Sequence, residues 1–369
     1  MKMEKTSMPI VFVCLFSLIL LSLESCSCTA SKPVPALYIF GDSNVDAGNN
    51  NKLKTMFKAN VPPYGIDFPG GLSASGGRAS NGMTYVDFFA KWLGLQLPPA
   101  VNNVDLNTVE TIDGFNYASA SAGILEDSRF NDNENIYLGK QVSMFNDTVE
   151  KYLTKRFKDK AELSNYLSKS IFVISIGGND FIFNLNMKMG EKTPSPDQIS
   201  QFSEKLLKLL GEYIKELYQL GARKFLINEI GAGGCAPQLY LMKKQQPGGC
   251  DLETNKEVVS YNEKLVPEIK KWESTFQGSS FVHMKMFDIA NDFVVNPTHY
   301  GFTDSRHACC QLTEHNRCDA NKGPCKDRSK YVYFDAAHLT EAAHKVLATK
   351  CFSEKGVCVP MNLQELAQK

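Results

Sequence analysis

The feature that most narrows the fold of this chain is an alternation: short runs that are largely apolar recur between longer segments whose apolar residues repeat at helical spacing. The short runs are residues 36–40 (ALYIF), 115–118 (FNYA), 171–176 (IFVISI), 224–227 (KFLI) and 281–287 (FVHMKMF). A strand with one wet face alternates polar and apolar residues, so a continuously apolar strand is one covered on both faces. Residues 84–93, 141–157, 200–220 and 255–272 supply candidate covering helices, and Gly221 a stop for the third. Strands and helices in this order predict an α/β/α domain around a mainly parallel sheet. Ligands meet such sheets at the carboxyl ends of the strands. The first run ends at Gly41-Asp42-Ser43 and the third at Gly177-Gly178-Asn179-Asp180, so two polar, glycine-containing turns should open on one edge. Glycine and proline concentrate in residues 61–82, which read as a surface loop near the mouth of that site or, equally, as a connection with no role in binding.

At 369 residues and 43% hydrophobic composition the chain can bury a large core. Lys plus Arg and Asp plus Glu both number 40, which removes the bulk electrostatic case for nucleic acid or an anionic membrane and favours a small-molecule partner. At the N-terminus Lys2 and Lys5 precede an apolar stretch over residues 10–23, followed by the small residues Ser27, Ala30 and Ser31. That layout predicts a secretory signal peptide over residues 1–30, too short for a membrane anchor, ahead of one domain over residues 31–369. Of the eleven cysteines, eight lie beyond the leader. For an exported chain they read as up to four disulfides: Cys235–Cys250, Cys351–Cys358, and two pairs among Cys309, Cys310, Cys318 and Cys325. Zinc is the weaker reading, because His307, Cys309, Cys310, His315 and Cys318 lack paired C-x-x-C spacing. Asn146-Asp147-Thr148 is the one N-x-S/T acceptor and predicts a surface glycan on Asn146.

A serine hydroxyl becomes a competent nucleophile when a base takes its proton and a third group orients that base. Ser43, in IFGDSNVDAGNN, follows directly on a buried-strand pattern, where a tight turn would expose its hydroxyl. Gly-Asp-Ser alone is also ordinary capping sequence. An Asp and a His three residues apart can pair across one turn, but two such pairs exist, Asp335-x-x-His338 and Asp304-x-x-His307. His307 sits beside Cys309-Cys310 with no helix pattern behind it, so spacing and position lean toward His338 without deciding. No H-E-x-x-H, P-loop or dinucleotide motif is present, and neither a cofactor nor a metal is expected. The residues 231–234 (GAGG) read as a disulfide-held turn, because Cys235 and Pro237 should break a following helix.

Four blocks in order now carry a resemblance. They are Phe40-Gly41-Asp42-Ser43 with Asp46 and Gly48-Asn49-Asn50-Asn51; Asn116-Tyr117-Ala118-Ser119-Ala120-Ser121-Ala122-Gly123; Gly177-Gly178-Asn179-Asp180; and Asp335-Ala336-Ala337-His338. From about residue 35 to about 351 the chain resembles the plant GDSL esterase/lipases, or SGNH hydrolases. Asn44 stands where the family name has Leu, Ala79 where an aromatic is usual, and Leu339 where Pro is common; none of these removes a reacting group. The resemblance implies a flavodoxin-like, mainly parallel five-stranded sheet and an extracellular carboxylic-ester hydrolase acting on lipids or acylated metabolites. It implies Ser43 as nucleophile, His338 as base and Asp335 as orienting acid, and it chooses between the two Asp-x-x-His pairs. The oxyanion donors it implies are the amides of Ser43 and Gly123 and the side chain of Asn179, with alanines and a serine replacing frequent glycines just before Gly123. An acyltransferase with an alcohol acceptor would use the same residues, and a silent binding protein would keep only the fold.

Overall fold

A computed structural model describes residues 32–110, 113–186, 193–242 and 250–369. The expected leader falls outside these residues. From Pro33 to Lys369 the chain forms one compact unit, and no helix among the described residues is long and apolar enough to cross a membrane.

Strands β1 (Leu37–Gly41), β2 (Ile171–Ser175), β3 (Lys224–Asn228) and β4 (Ser280–Met284) pair in parallel and in that spatial order. Every residue of β1, β2 and β3 is buried, because each strand sends alternate side chains to two helical layers. Tyr38, Phe40, Phe172, Phe225 and Phe281 meet one layer, built from α1 (Leu138–Lys151), α2 (Pro196–Gln219) and α3 (Leu252–Thr275). Leu37, Ile39, Ile171, Val173, Leu226 and Val282 meet the other, which includes helices at Tyr85–Trp92 and Glu341–Phe352. The three-layer α/β/α expectation therefore holds.

Its edges differ from expectation. Residues 115–118 lie beside β1, which reproduces the flavodoxin-like order, but they form no named strand. They run parallel to β1, with backbone bonds from Leu37 to Asp113, from Ile39 to Phe115, from Tyr117 to Ile39 and from Ser119 to Gly41. At Gly41 the pairing is only half backbone, since the Gln141 amide takes the Gly41 N–H and shares the Gly41 carbonyl with the Ser119 N–H, its own two bonds both at 2.8 Å. The fifth strand is instead Cys358–Val359, antiparallel to β4. The 281–287 run also divides, with β4 ending at Met284 and a helix opening at Met286.

Two further regions depart from the sequence reading. Residues 61–82 are a surface loop at the cavity, to which Tyr64, Gly77 and Ala79 contribute, but a more packed one than expected: they hold a short helix at Gly71–Ser75, bury Tyr64, Phe68, Arg78 and Asn81 while Val61 and Ile66 stay exposed, and tie Arg78 to Asp87 at 2.6 Å. Pro237 opens the helix Pro237–Met242 instead of breaking one, as suits a residue whose missing N–H is an orphan at a first helical turn.

Candidate active site

The carboxyl ends of β1 and β2 place the first and third blocks side by side. Gly41 has to be glycine, since a Cβ there would stand 2.4 Å from the Ser175 carbonyl, and this close approach lets the chain turn out immediately at Asp42-Ser43. Gly177 makes the matching turn after β2 with φ 123°, a value side chains disfavour. A π-helix, Asp180–Asn186, follows Asn179 directly.

The fourth block arrives from a separate two-stranded parallel sheet, β5 (Asp304–Ala308) with β6 (Tyr331–Tyr333). After β6 the chain doubles back: Asp335 Oδ1 accepts the backbone N–H groups of Ala337 and His338, both at 2.8 Å, so its carboxylate shapes the turn it occupies. His338 Nδ1 lies 2.8 Å from Asp335 Oδ2, and His338 Nε2 lies 2.8 Å from Ser43 Oγ. With its Nδ1 proton directed at the carboxylate, the imidazole presents Nε2 as acceptor to the Ser43 hydroxyl. Burial alone would raise the Asp335 carboxyl, but the charge of His338 and hydrogen bonds from His338, Ala337 and Tyr64 outweigh it and hold it below the ordinary range. Burial works to lower His338, yet Asp335, helped by Asp42, prevails and raises it.

Asp304 and His307 form the same local pair, 2.9 Å apart, with the same backbone donors on Asp304. The His307 side chain is 57% exposed, however, and among the described residues its ring is hydrogen-bonded to Asp304 and to no serine.

The second block lies against Ser43 through long-range bonds. Asp46 accepts the N–H groups of Gly48, Asn49 and Ala120, and Asp180 accepts those of Ile124 and Leu125 together with the Ser128 hydroxyl. Burial pushes each carboxyl up to about 6 against these donors. Between the two carboxylates, Ser121 takes φ 66° and lines the cavity beside Ser43 and Asn179. Gly123 does not line it: the space beside its Cα is filled by Ser128 and Asp180. Asn179 Nδ2 donates one hydrogen to the Ala122 carbonyl at 2.9 Å and keeps a second. Among the described residues, the amides of Ser43, Ser121 and Gly123 have no acceptor, and of the latter two only Ser121 lines the cavity.

The cavity above Ser43 measures about 330 Å³, and Phe57, Phe181, Ile182, Ile230, Val258 and Met286 give it a largely apolar wall. Nearby, Cys309, Cys310 and Cys318 are all engaged in disulfides, Cys309–Cys325 and Cys310–Cys318, beside Cys235–Cys250 and Cys351–Cys358 elsewhere. Asn146 is half-buried in the body of α1, and Thr148 is buried with its hydroxyl bonded to Tyr117 and Met144. The expected glycan site is thus not an open surface position.

A family model for GDSL-like lipase/acylhydrolases matches residues 37–350, the span from β1 to the helix after His338. The chain belongs to that GDSL family. GDSL esterase/lipase 7 of Arabidopsis thaliana is 38% identical over 97% of this chain and 99% of its own length. GDSL esterase/lipase At1g33811 of the same plant is 36% identical over 96% and 98%. Two contributors to this GDSL site lay beyond motif reading: Gln141, which clamps Gly41, and Tyr64, whose hydroxyl reaches Asp335. Each contact joins segments 100 or more residues apart.

Proposed function

We propose that the chain is a secreted carboxylic-ester hydrolase that works through an acyl-enzyme on Ser43. The observation that carries this reading is the unbroken Ser43–His338–Asp335 chain of hydrogen bonds at the floor of an apolar cavity. Ser43 Oγ attacks the ester carbonyl carbon as its proton passes to His338 Nε2, and Asp335 stabilises the imidazolium. The oxyanion accepts hydrogen bonds from the Ser43 amide, the Asn179 side chain and the amide of Ser121, which replaces Gly123 in this role. Collapse of the tetrahedral adduct returns the proton from His338 to the leaving alkoxide, and a water activated by the same imidazole then releases the acid.

The apolar wall supports acyl chains of lipids or acylated metabolites as the part of the substrate bound there. Export is supported by the leader-like N-terminus and by the pairing of all eight remaining cysteines. A fluorophosphonate probe tests the reading. It should label one residue, Ser43, and abolish hydrolysis of a medium-chain p-nitrophenyl ester in step with labelling. Full esterase activity in fully labelled protein, or labelling that survives Ser43→Ala, would remove Ser43 from the reaction.

A further inference from the structure

We propose that Tyr64 is a positioning residue for the reaction, fixing through Asp335 the direction in which His338 presents Nε2 to Ser43. The proposal rests on the reading of Ser43, His338 and Asp335 as the reacting chain.

The Tyr64 hydroxyl stands 2.7 Å from Asp335 Oδ2 and 3.4 Å from the backbone nitrogen of Cys318. A phenol has one hydrogen. The Cys318 N–H is itself a donor, so Tyr64 accepts from it and commits its own hydrogen to Asp335. The carboxylate is then held on both oxygens. Oδ1 takes the N–H groups of Ala337 and His338, while Oδ2 takes Tyr64 and the Nδ1 proton of His338. Removing Tyr64 would leave Oδ2 bonded only to the group it is meant to orient.

The ring is as constrained as the hydroxyl. Tyr64 is 2% exposed and packs in a small cluster with Ala59, Ala79, Phe334 and the half-cystines Cys309, Cys310 and Cys318. Its ring meets Phe334 edge-on, with centroids 5.6 Å apart at 71°. Phe334 immediately precedes Asp335, so one side chain braces the turn by packing and by hydrogen bonding. Burial, reinforced by the Asp335 charge, keeps the phenol protonated well above its ordinary pKa, so it remains a donor throughout the working range.

Tyr64→Phe separates these two contributions because it keeps the ring and deletes the donor. The expected result is a fall in kcat of about tenfold, the kinetic equivalent of one hydrogen bond to a charged group, with KM and melting temperature near the wild-type values. The pH profile gives the reading that packing would not move. Without the Tyr64 donor the Asp335 charge is less neutralised and stabilises the His338 imidazolium more, so the acid limb of kcat/KM should shift to higher pH. The other charged or titratable groups facing His338, namely Asp42, Arg317 and His344, are unchanged in this variant. A folded Tyr64→Phe enzyme with wild-type kcat overturns the proposal, and so does a fall in kcat with an unmoved acid limb. Ser43→Ala, assayed in parallel, distinguishes the failures: turnover surviving in Ser43→Ala defeats the reading of the reacting chain itself, whereas an inactive Ser43→Ala beside an unaffected Tyr64→Phe defeats only the role given to Tyr64.

Discussion

The sheet that carries Ser43 and the disulfide-bearing region that carries Asp335 and His338 meet at the 2.8 Å hydrogen bond from Ser43 to His338 and where Val332 and Tyr333 of β6 pack into the sheet's core, but different forces hold the rest of each. The sheet is buried on both faces by long helices, and its aromatic residues stack through it, with Phe225 and Phe281 centroids 4.8 Å apart. The second region has a small apolar cluster, Ala59, Tyr64, Ala79 and Phe334 packed with three half-cystines. It is closed by Cys309–Cys325 and Cys310–Cys318 and by Arg317, which bonds to the carbonyls of Met56 and Lys58. Local opening requires less free energy where few apolar contacts are lost. Loss of alignment at His338 should therefore precede loss of the sheet.

The largest effects should arise at the junction itself. Ser43→Ala and His338→Ala are each expected to lower turnover by roughly 10⁴- to 10⁶-fold with the fold intact. Asn179→Ala should cost about 10²- to 10³-fold, the size of one lost oxyanion donor, and His307→Ala should leave turnover near wild type. These are read from ester turnover together with circular dichroism. Activity lost in His307→Ala and retained in His338→Ala would reverse the choice between the two Asp–His pairs.

The next contrast sets the two regions directly against each other. Phe172→Ala, in the fully buried sheet, should destabilise the fold by about 3–5 kcal/mol, with activity and melting declining together. The double variant Cys310→Ala/Cys318→Ala opens a bridge that spans 8 residues and should cost about 2–3 kcal/mol. In that variant turnover should already be reduced at temperatures well below melting, because the bridge holds Cys318 against Tyr64. Undiminished turnover per folded molecule would show that the two regions loosen as one.

The smallest effect is in pH dependence. His338 must be neutral to accept the serine proton, and its pKa is raised by Asp335. Protonation on acidification therefore removes the base, and kcat/KM should fall through a value above the ordinary imidazole pKa of about 6.5. In Asp335→Asn the raising charge is gone, so the residual activity should persist to lower pH. An acid limb that moves upward in Asp335→Asn would contradict the assigned pair.

The amino-acid sequence by itself determined what depends on neighbours along the chain. Continuous apolar runs marked β1 to β4, and helical spacing marked the helices that cover them, because periodicity and burial are coupled within a single element. Asp335 and His338 could pair from sequence alone, since three residues suffice to close their turn. Asp304 and His307 close the same turn equally well, so local sequence only leaned toward His338 and the family resemblance made the choice. Only tertiary structure delivered Ser43 to one imidazole and left the other exposed, through a contact spanning 295 residues. That Ser121 and not Gly123 lines the cavity wall has a similar origin, because Asp46 and Asp180 set the path of that segment from 74 and 56 residues away. Beside the edge expected at residues 115–118, the Gly41 N–H is claimed by Gln141, a hundred residues away. Hydrogen bonds of this range leave no period in the sequence, so which polar groups meet is decided only when the helical layers close on the sheet.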